Sequence, residues 1–212
     1  MSGGRLVDIS RPLVAGMPVW PGDEEVRTRW TARIAPGCPV NVGAVSLTTH
    51  AGTHVDAPLH YDAEGIDVAG LPLDLLVGPC RVVDVASCGP LVTAAALEQG
   101  LATPVERLLL RTASAPPGPR FDPSFTAVAA DAVELAAARG VRLLGVDTPS
   151  VDPADSEDLP AHMAARRTGL LLLEGLDLAS VAPGEWELIA LPLRLVGMDA
   201  SPVRAVLREL ER

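Results

Sequence analysis

The 212-residue sequence contains no lysine, because all 17 of its basic residues are arginine. This absence excludes Schiff-base catalysis, a lysine general base and the phosphate-binding lysine of a P-loop. The sequence also lacks a Gly-x-Ser-x-Gly pentapeptide, which excludes the nucleophile elbow of serine hydrolases. No Gly-x-Gly-x-x-Gly motif is present, so the usual nucleotide cofactors are not expected.

Cysteines, basic runs and long apolar stretches are also scarce. The chain has three cysteines, which are too few for a disulfide framework and cannot all be paired because their number is odd. This cysteine content favours a location in the reducing cytoplasm. No apolar run approaches the ~18 residues of a membrane-spanning helix, and the start of the chain does not resemble a signal peptide. A net charge of −10 argues against nucleic acid as a partner. We therefore expect a cytoplasmic protein that acts on a small molecule.

The remaining composition is that of a folded domain with mixed secondary structure. Hydrophobic residues make up 48% of the chain, and its length fits one domain spanning residues 1–212. Short apolar runs predict strands at residues 44–49, 81–85, 107–111, 141–146, 170–173 and 187–195, the last broken at its proline. Helices are predicted at residues 92–99, 126–139, 159–167 and, from a Ser-Pro start with helical apolar spacing, from 201 to 210. The order indicates a mixed α/β fold rather than a doubly wound sheet.

Three of the four histidines lie within eleven residues, in the segment HAGTHVDAPLH at positions 50–60. His50, His54 and Asp56 offer imidazole nitrogen and carboxylate oxygen, the ligands that zinc, manganese and iron prefer. If the segment is extended, His54 and Asp56 point to the same side, and Gly52 allows the bend that brings His50 to them. The segment therefore predicts a metal or catalytic site.

The nature of that site is narrowed by its ligand types. Closed structural zinc sites usually use cysteine, and none lies within ten residues of the cluster. An open site would bind a water and lower its pKa to near 7. His60 is then free to act as a general acid or base. Taken alone, His162 has the features of an ordinary core or surface histidine, and Glu174 those of a solvated carboxylate. However, Glu174 directly follows an apolar run, where a buried carboxylate needs a partner.

The histidine motif resembles the signature of the cyclase-like metal hydrolases, a family that includes the kynurenine formamidases. The similarity extends to four further blocks in family order, which together with the motif make up 79 of the 212 residues. They are MPVWPGD at 17–23, LPLDLLVGPCRVVDV at 71–85, GVDTPSVDP at 145–153 and LEGLDLASVAPGEWELIALPLRLVGMDASPVRAVLRE at 173–209. The resemblance implies a swivelling β/β/α arrangement and a homodimer.

The resemblance also implies a pair of zinc ions in each subunit, with manganese as an alternative. His50, His54 and Asp56 resemble the ligands of the first ion, and Asp56 resembles a bridge to the second. His162 resembles a ligand of the second ion and Glu174 a further bridge. In the same comparison His60 resembles the proton donor and acceptor, and Trp20 a residue that contacts the substrate.

The implied reaction is the hydrolysis of N-formyl-L-kynurenine to L-kynurenine and formate, a step of tryptophan degradation. Two alternatives stay open from the sequence. A relative of the same family could hydrolyse isatin or another aryl amide instead. A metal-binding protein without catalysis is the second alternative, although it would have no use for the spare imidazole of His60.

Overall fold

The computed structural model describes residues 4–112, 118 and 120–210. Its strands, numbered β1 to β13, are Leu6–Asp8, Arg27–Ala32, Val42–Ser46, His54–Asp56, Val77–Asp84, Leu91–Val92, Arg107–Arg111, Ala127–Val128, Leu143–Val146, Leu171–Glu174, Gly184–Ile189, Ala200–Pro202 and Val206–Arg208. The α-helices α1 to α3 are Ala94–Leu97, Ala130–Ala138 and Pro160–Thr168. Single 3₁₀ turns lie at Pro58–His60, Val68–Gly70, Leu73–Leu75 and Ala86–Cys88.

Nine strands form one mixed sheet in the order β1-β13-β11-β5-β7-β9-β10-β4-β12. The four central strands, β5, β7, β9 and β10, run parallel, and the pairs on either side are antiparallel. All residues of β9 and β10 are buried, as expected for parallel strands covered on both faces. Two separate two-stranded sheets, β2-β3 and β6-β8, complete the described strands. The mixed α/β prediction is confirmed.

The core lies on both faces of the central sheet. In β7, Leu108 and Leu110 pack with the three α-helices, while Leu109 faces the opposite side and packs with residues such as Ile9 and Leu188. This alternation follows from the two-residue period of a strand. No helix within the described ranges is both long enough and apolar enough to span a lipid bilayer.

The predicted C-terminal helix at 201–210 is wrong, because this segment forms β12 and β13. Burial alternates along it: Ser201, Val203, Ala205 and Leu207 are buried, and the residues between them are more exposed. That alternation is the two-residue period of a strand, which the helical spacing of other apolar residues concealed. β13 lies between β1 and β11, so the segment is held by pairing on both sides.

Candidate metal centre

Strand β4 and its neighbour β10 place three of the candidate residues together. His54 and Asp56 are two residues apart on β4 and share one face. The antiparallel register sets Glu174, the last residue of β10, directly opposite His54. His54 Nε2 lies 3.4 Å from Asp56 Oδ1 and 3.4 Å from Glu174 Oε2. A buried pair of carboxylates therefore faces one imidazole.

His50 reaches this cluster from the turn before β4. Gly52 has φ +65°, a left-handed conformation that glycine adopts at little cost. The turn brings His50 Nδ1 to 3.2 Å from Asp56 Oδ1. It also places the Gly52 carbonyl 3.1 Å from His54 Nδ1. With a proton on Nδ1 donated to that carbonyl, His54 presents the lone pair of Nε2 to the cluster.

His162 enters from the first turn of helix α3 and is oriented by Asp152. The Asp152 carboxylate accepts hydrogen bonds from the backbone N–H groups of Ala161 (2.8 Å) and His162 (3.0 Å). It also accepts one from His162 Nδ1 at 2.7 Å. The same carboxylate thus caps the helix and directs His162 Nε2 toward Asp56 Oδ2, 3.5 Å away, and Glu174 Oε1, 3.7 Å away.

Four atoms at the centre of this cluster are buried and make no hydrogen bond within the described part of the chain. They are His54 Nε2, both carboxylate oxygens of Asp56 and His162 Nε2. Buried polar atoms without partners are costly and rare, so a convergent set of them calls for a ligand. Nitrogen and oxygen donors in this arrangement fit a divalent metal ion such as zinc or manganese.

The electrostatics of the cluster also favour positive charge at this place. Burial opposes a charge on His50, but its contacts with Asp56 and Asp199 outweigh burial and raise its pKa to about 9. For His162, burial is likewise outweighed by Asp152 and Asp56, and the pKa rises to about 10. Despite burial, contacts with His162 and His50 hold the pKa of Asp56 well below its usual value. Bound cations would take the place of these protons.

The fourth histidine, His60, stands beside the cluster at the end of the 3₁₀ turn Pro58–His60. Its ring centroid is 4.2 Å from that of His50 and 5.6 Å from that of His162. Burial lowers its pKa, which favours the neutral imidazole near neutral pH. Its side chain keeps 30% of its surface exposed, more than the other three histidines. A neutral and accessible imidazole is suited to proton transfer.

Asp199, which sequence reasoning missed, joins His50 and His60. Its Oδ2 atom lies 3.0 Å from His50 Nε2 and 3.4 Å from His60 Nδ1. Thr49 Oγ1 donates to its other oxygen at 2.9 Å. Contacts with His50 and Thr49 outweigh burial and lower the Asp199 pKa to about 2. Both missed carboxylates, Asp152 and Asp199, lie in blocks that carry the family resemblance, which was the available signal.

A cavity of about 710 Å³ opens onto the four histidines. One part of its wall is aromatic: the Trp20 ring meets Phe121 edge-on with centroids 5.0 Å apart, and Phe125 at 6.3 Å. These residues include both phenylalanines of the chain. The structure thus brings all seven predicted site residues to one cavity or its floor, namely Trp20, His50, His54, Asp56, His60, His162 and Glu174.

Comparisons with known proteins agree with this description. A family model described as "Cyclase: Putative cyclase" matches residues 7–153. The kynurenine formamidase of Paracidovorax citrulli (strain AAC00-1) is 50% identical in an alignment of length 207 that covers 96% of this chain and 96% of its own.

Solved structures share the fold over nearly the whole chain. A structure described as "Potential Metal-Dependent Hydrolase With Cyclase Activity" has a TM-score of 0.83 and 29% identity, covering 98% of this chain and 99% of its own. An isatin hydrolase bound to thioisatinate has a TM-score of 0.81 at 21% identity, covering 97% of this chain and 92% of its own, and shows the shared fold alone. The sequence and structural matches together establish that the chain belongs to the cyclase family of hydrolases.

Proposed function

We propose that the protein is a zinc-dependent amidohydrolase that converts N-formyl-L-kynurenine to L-kynurenine and formate, a step of tryptophan degradation. The observation that carries the proposal is a cluster of four buried nitrogen and oxygen atoms of His54, Asp56 and His162 that have no hydrogen-bond partner among the described residues. The substrate is inferred from the 50% identity to a kynurenine formamidase over 96% of both chains. A metal-dependent hydrolase fold supports the reaction class.

The two carboxylates of the cluster support a pair of ions rather than one. Asp56 directs Oδ1 toward His50 and His54 but Oδ2 toward His162. Glu174 likewise directs Oε2 toward His54 and Oε1 toward His162. We propose that His50, His54 and Asp56 hold the first ion. Asp56, His162 and Glu174 would hold the second, and the Asp56 and Glu174 carboxylates would contribute to both sites. Zinc is the proposed metal and manganese the alternative.

When bound, such ions activate a water molecule and stabilise negative charge on the amide oxygen. His60 acts as the general base and the general acid of the reaction. With its Nδ1–H donated to Asp199, the Nε2 lone pair is available to the cavity. His60 takes a proton from the attacking water and returns it to the aniline nitrogen as the C–N bond breaks. That proton is needed because an aryl amide nitrogen leaves poorly as an anion.

Trp20 is proposed to bind the aromatic ring of the substrate. It forms the cavity wall with Phe121 and Phe125, and its neighbours hold it edge-on. Aromatic rings prefer edge-to-face or offset contacts of this kind. The wall therefore provides an apolar surface for the aryl group beside the metal cluster.

A substrate panel with metal analysis tests the proposal. Zinc-loaded protein is assayed with N-formyl-L-kynurenine, isatin and a simple aryl amide. We expect the formamide to have the highest kcat/KM. His60→Ala should lower kcat by roughly 10²- to 10⁴-fold while zinc content is retained. His54→Ala should lose zinc. A preference for isatin would support the alternative that the protein is an isatin hydrolase. Bound metal without turnover of any amide would support the alternative of a metal-binding protein without catalysis.

We also propose a homodimer, in which the hairpin β2-β3 of one copy packs on the other. The hairpin, residues 27–46, forms a two-stranded sheet of its own. Isolated hairpins are marginally stable in water. This one exposes large apolar side chains, including Trp30 (53%), Ile34 (66%) and Val45 (61%). An exposed apolar surface of this kind is typical of a protein interface.

The charge of the hairpin favours a second copy of the chain as the occupant. Residues 27–46 contain three arginines and no acidic residue. The other 14 arginines and all 27 acidic residues lie outside it, so the rest of the chain carries −13. The hairpin at residues 27–46, here called the arm, is basic and apolar, and the rest of the chain, here called the body, is acidic. The two are complementary in charge, and in a two-fold dimer each arm would pack on the body of the other copy. A cytoplasmic location is also proposed, since Cys38, Cys80 and Cys88 are all free thiols.

A further inference from the structure

We propose that Arg120 and Asp122 form the subsite that holds the zwitterionic amino-acid head group of the substrate. Arg120 would bind the carboxylate and Asp122 the ammonium. The proposal rests on the proposed function for the identity of the substrate, which carries both charges. It assigns a recognition role to residues outside the metal cluster and the aromatic wall.

The position of Arg120 in the cavity is the first observation. Arg120 and Asp122 both line the cavity that opens onto the four histidines. They flank Phe121 in the chain, and Phe121 packs on Trp20. A ligand whose ring lies against the aromatic wall is therefore adjacent to one cation and one anion. An aryl amide with a charged amino-acid chain has this combination of groups.

The second observation is that Arg120 has no side-chain partner among the residues that the structure describes. Within residues 4–112, 118 and 120–210, no hydrogen bond or ion pair joins it to another side chain, although Asp122 is only two residues away. Asp122 uses Oδ1 to accept the Ser124 backbone N–H at 2.9 Å, and its Oδ2 has no described partner. A free guanidinium can bind a carboxylate through two parallel hydrogen bonds.

The other arginine of the cavity is occupied. Arg11 donates from Nε to the Gly175 carbonyl at 3.0 Å and from Nη2 to the Asp147 carbonyl at 2.5 Å. It is also largely buried, which lowers its pKa. Its donors hold the backbone next to Glu174 in place. Among the described residues that line the cavity, Arg120 is therefore the one arginine with its fork available.

Such a subsite would also set the orientation of the substrate. A free carboxylate is itself a good ligand for the metals proposed here, so a substrate could bind backwards through its head group. An arginine beside the aromatic wall competes for that carboxylate and leaves the formyl group for the histidines. The expected consequence is selectivity for formamides that carry the amino-acid chain.

Four formamides test the carboxylate and the ammonium group of the substrate independently. They are N-formyl-L-kynurenine, its decarboxylated analogue, its deaminated analogue and neutral ortho-formamidoacetophenone. Arg120→Gln should lower kcat/KM by roughly 10- to 100-fold for the two substrates with a carboxylate, the effect of losing a charge-assisted hydrogen bond. It should leave the other two within about twofold. Asp122→Asn should instead affect the two substrates with an ammonium group.

Controls distinguish this proposal from a failure of the fold or of the proposed function. Arg5→Gln removes an exposed arginine outside the cavity and should change none of the four rates. Arg120→Lys keeps the charge and should restore part of the carboxylate preference. Binding of L-kynurenine and of ortho-aminoacetophenone, measured by calorimetry, gives a readout that needs no turnover.

The wild type should bind L-kynurenine more tightly, and Arg120→Gln should remove the difference. If the wild type hydrolysed none of the formamides, the proposed function would fail, and the binding difference alone would decide the role of Arg120. Two results for Arg120→Gln would overturn the subsite, provided that the ratio of L-kynurenine affinity to ortho-aminoacetophenone affinity is also unchanged. One is an equal loss of kcat/KM on all four substrates, and the other is no loss on any of them.

Discussion

Asp199 is the residue on which the two halves of the site depend, because one of its oxygens contacts both His50 and His60. On the His50 side it supports a proposed metal ligand. On the His60 side it fixes the tautomer of the proposed acid and base. Carboxylates in this position raise the basicity of the imidazole and hold its ring in place. Asp199 is thus a positioning residue, whose effect on the substrate passes through the two histidines.

Asp199→Asn should lower kcat by about 10²-fold at saturating zinc, since His60 loses its orienting carboxylate. The variant should also shift the acidic limb of the kcat/KM profile to lower pH, because the negative charge that stabilises protonated His60 is gone. The measurement is a pH–rate profile, with Asp74→Asn, a surface carboxylate 70% exposed, as the control. An unchanged profile would show that Asp199 does not act through His60.

The histidine pKa values predict how stability depends on pH without metal. His50 and His162 have pKa values of about 9 and about 10 in the fold, against an ordinary value of 6.5. A pKa raised by folding stabilises the protein below the unfolded value, and that stabilisation is lost as pH rises through the folded value. The chelated protein should therefore become less stable between about pH 7 and about pH 10.

Zinc should reverse this trend. Metal binding displaces the protons from both imidazoles, so zinc affinity and zinc stabilisation should rise with pH over the same window. The measurement is the free energy of unfolding in denaturant at several pH values, with chelator and with zinc. His50→Gln should flatten the slope of the chelated protein. A chelated wild type that gains stability as pH rises would contradict the protonated cluster.

At the residue scale, local chemistry was predictable and long-range partners were not. His50, His54 and Asp56 lie within seven residues, so their ligand types and spacing are visible in the chain. Asp199 meets His50 across 149 positions. No local pattern distinguishes Asp199 from the many other carboxylates of an acidic protein. Only the strand order, which places β12 beside β4, brings them together.

At the element scale, the site depends on the close approach of two backbone turns. Gly175 follows β10 with φ +66°, and a Cβ there would lie 2.1 Å from the Gly52 carbonyl oxygen. Gly52 is the turn that positions His50 and His54, and Gly175 directly follows Glu174. The contact therefore sets the distance between the two strands that carry the ligands.

Gly175→Ala should consequently destabilise the protein by about 2 kcal/mol or more and weaken zinc binding, because both turns must move. Thermal or denaturant unfolding with a zinc titration measures both effects. Gly89→Ala is the matched control, since Gly89 also has a positive φ of +77° but open space around its Cβ position. The control variant has backbone strain but no close contact. Equal losses of unfolding free energy in the two variants would therefore show that the close approach of Gly175 to Gly52 is not the cause.

The elements themselves were predictable where one period dominated. The run RLLLR was predicted as a strand at 107–111 and forms β7 over those residues. The strand predicted at 187–195 begins earlier, at Gly184, and ends at Ile189, before Pro192, as a proline inside a sheet requires. The C-terminal segment satisfied both a helical and a strand pattern. Pairing with β1, β11 and β4 decided between them, and such pairing is not visible locally.

At the scale of the whole molecule, the acidic body and the basic hairpin predict an assembly that depends on salt. If the arm of one copy packs on the body of the other, Arg29→Glu with Arg33→Glu should shift the dimer toward monomer. High salt should weaken the wild-type dimer because exposed charges are screened. Sedimentation equilibrium measures both. Arg5→Glu, a single charge reversal outside the arm, should leave the dimer intact, and a double variant that stays dimeric would contradict the interface.

Hydrolysis of a formamide by this chain should require bound metal, and an assay with and without metal tests this requirement. Release of L-kynurenine from N-formyl-L-kynurenine is followed with purified protein, after chelation and after stoichiometric addition of zinc. Chelation should abolish turnover, and about two zinc ions per chain should restore it. Full turnover by a protein shown to contain no metal would mean that hydrolysis does not depend on metal.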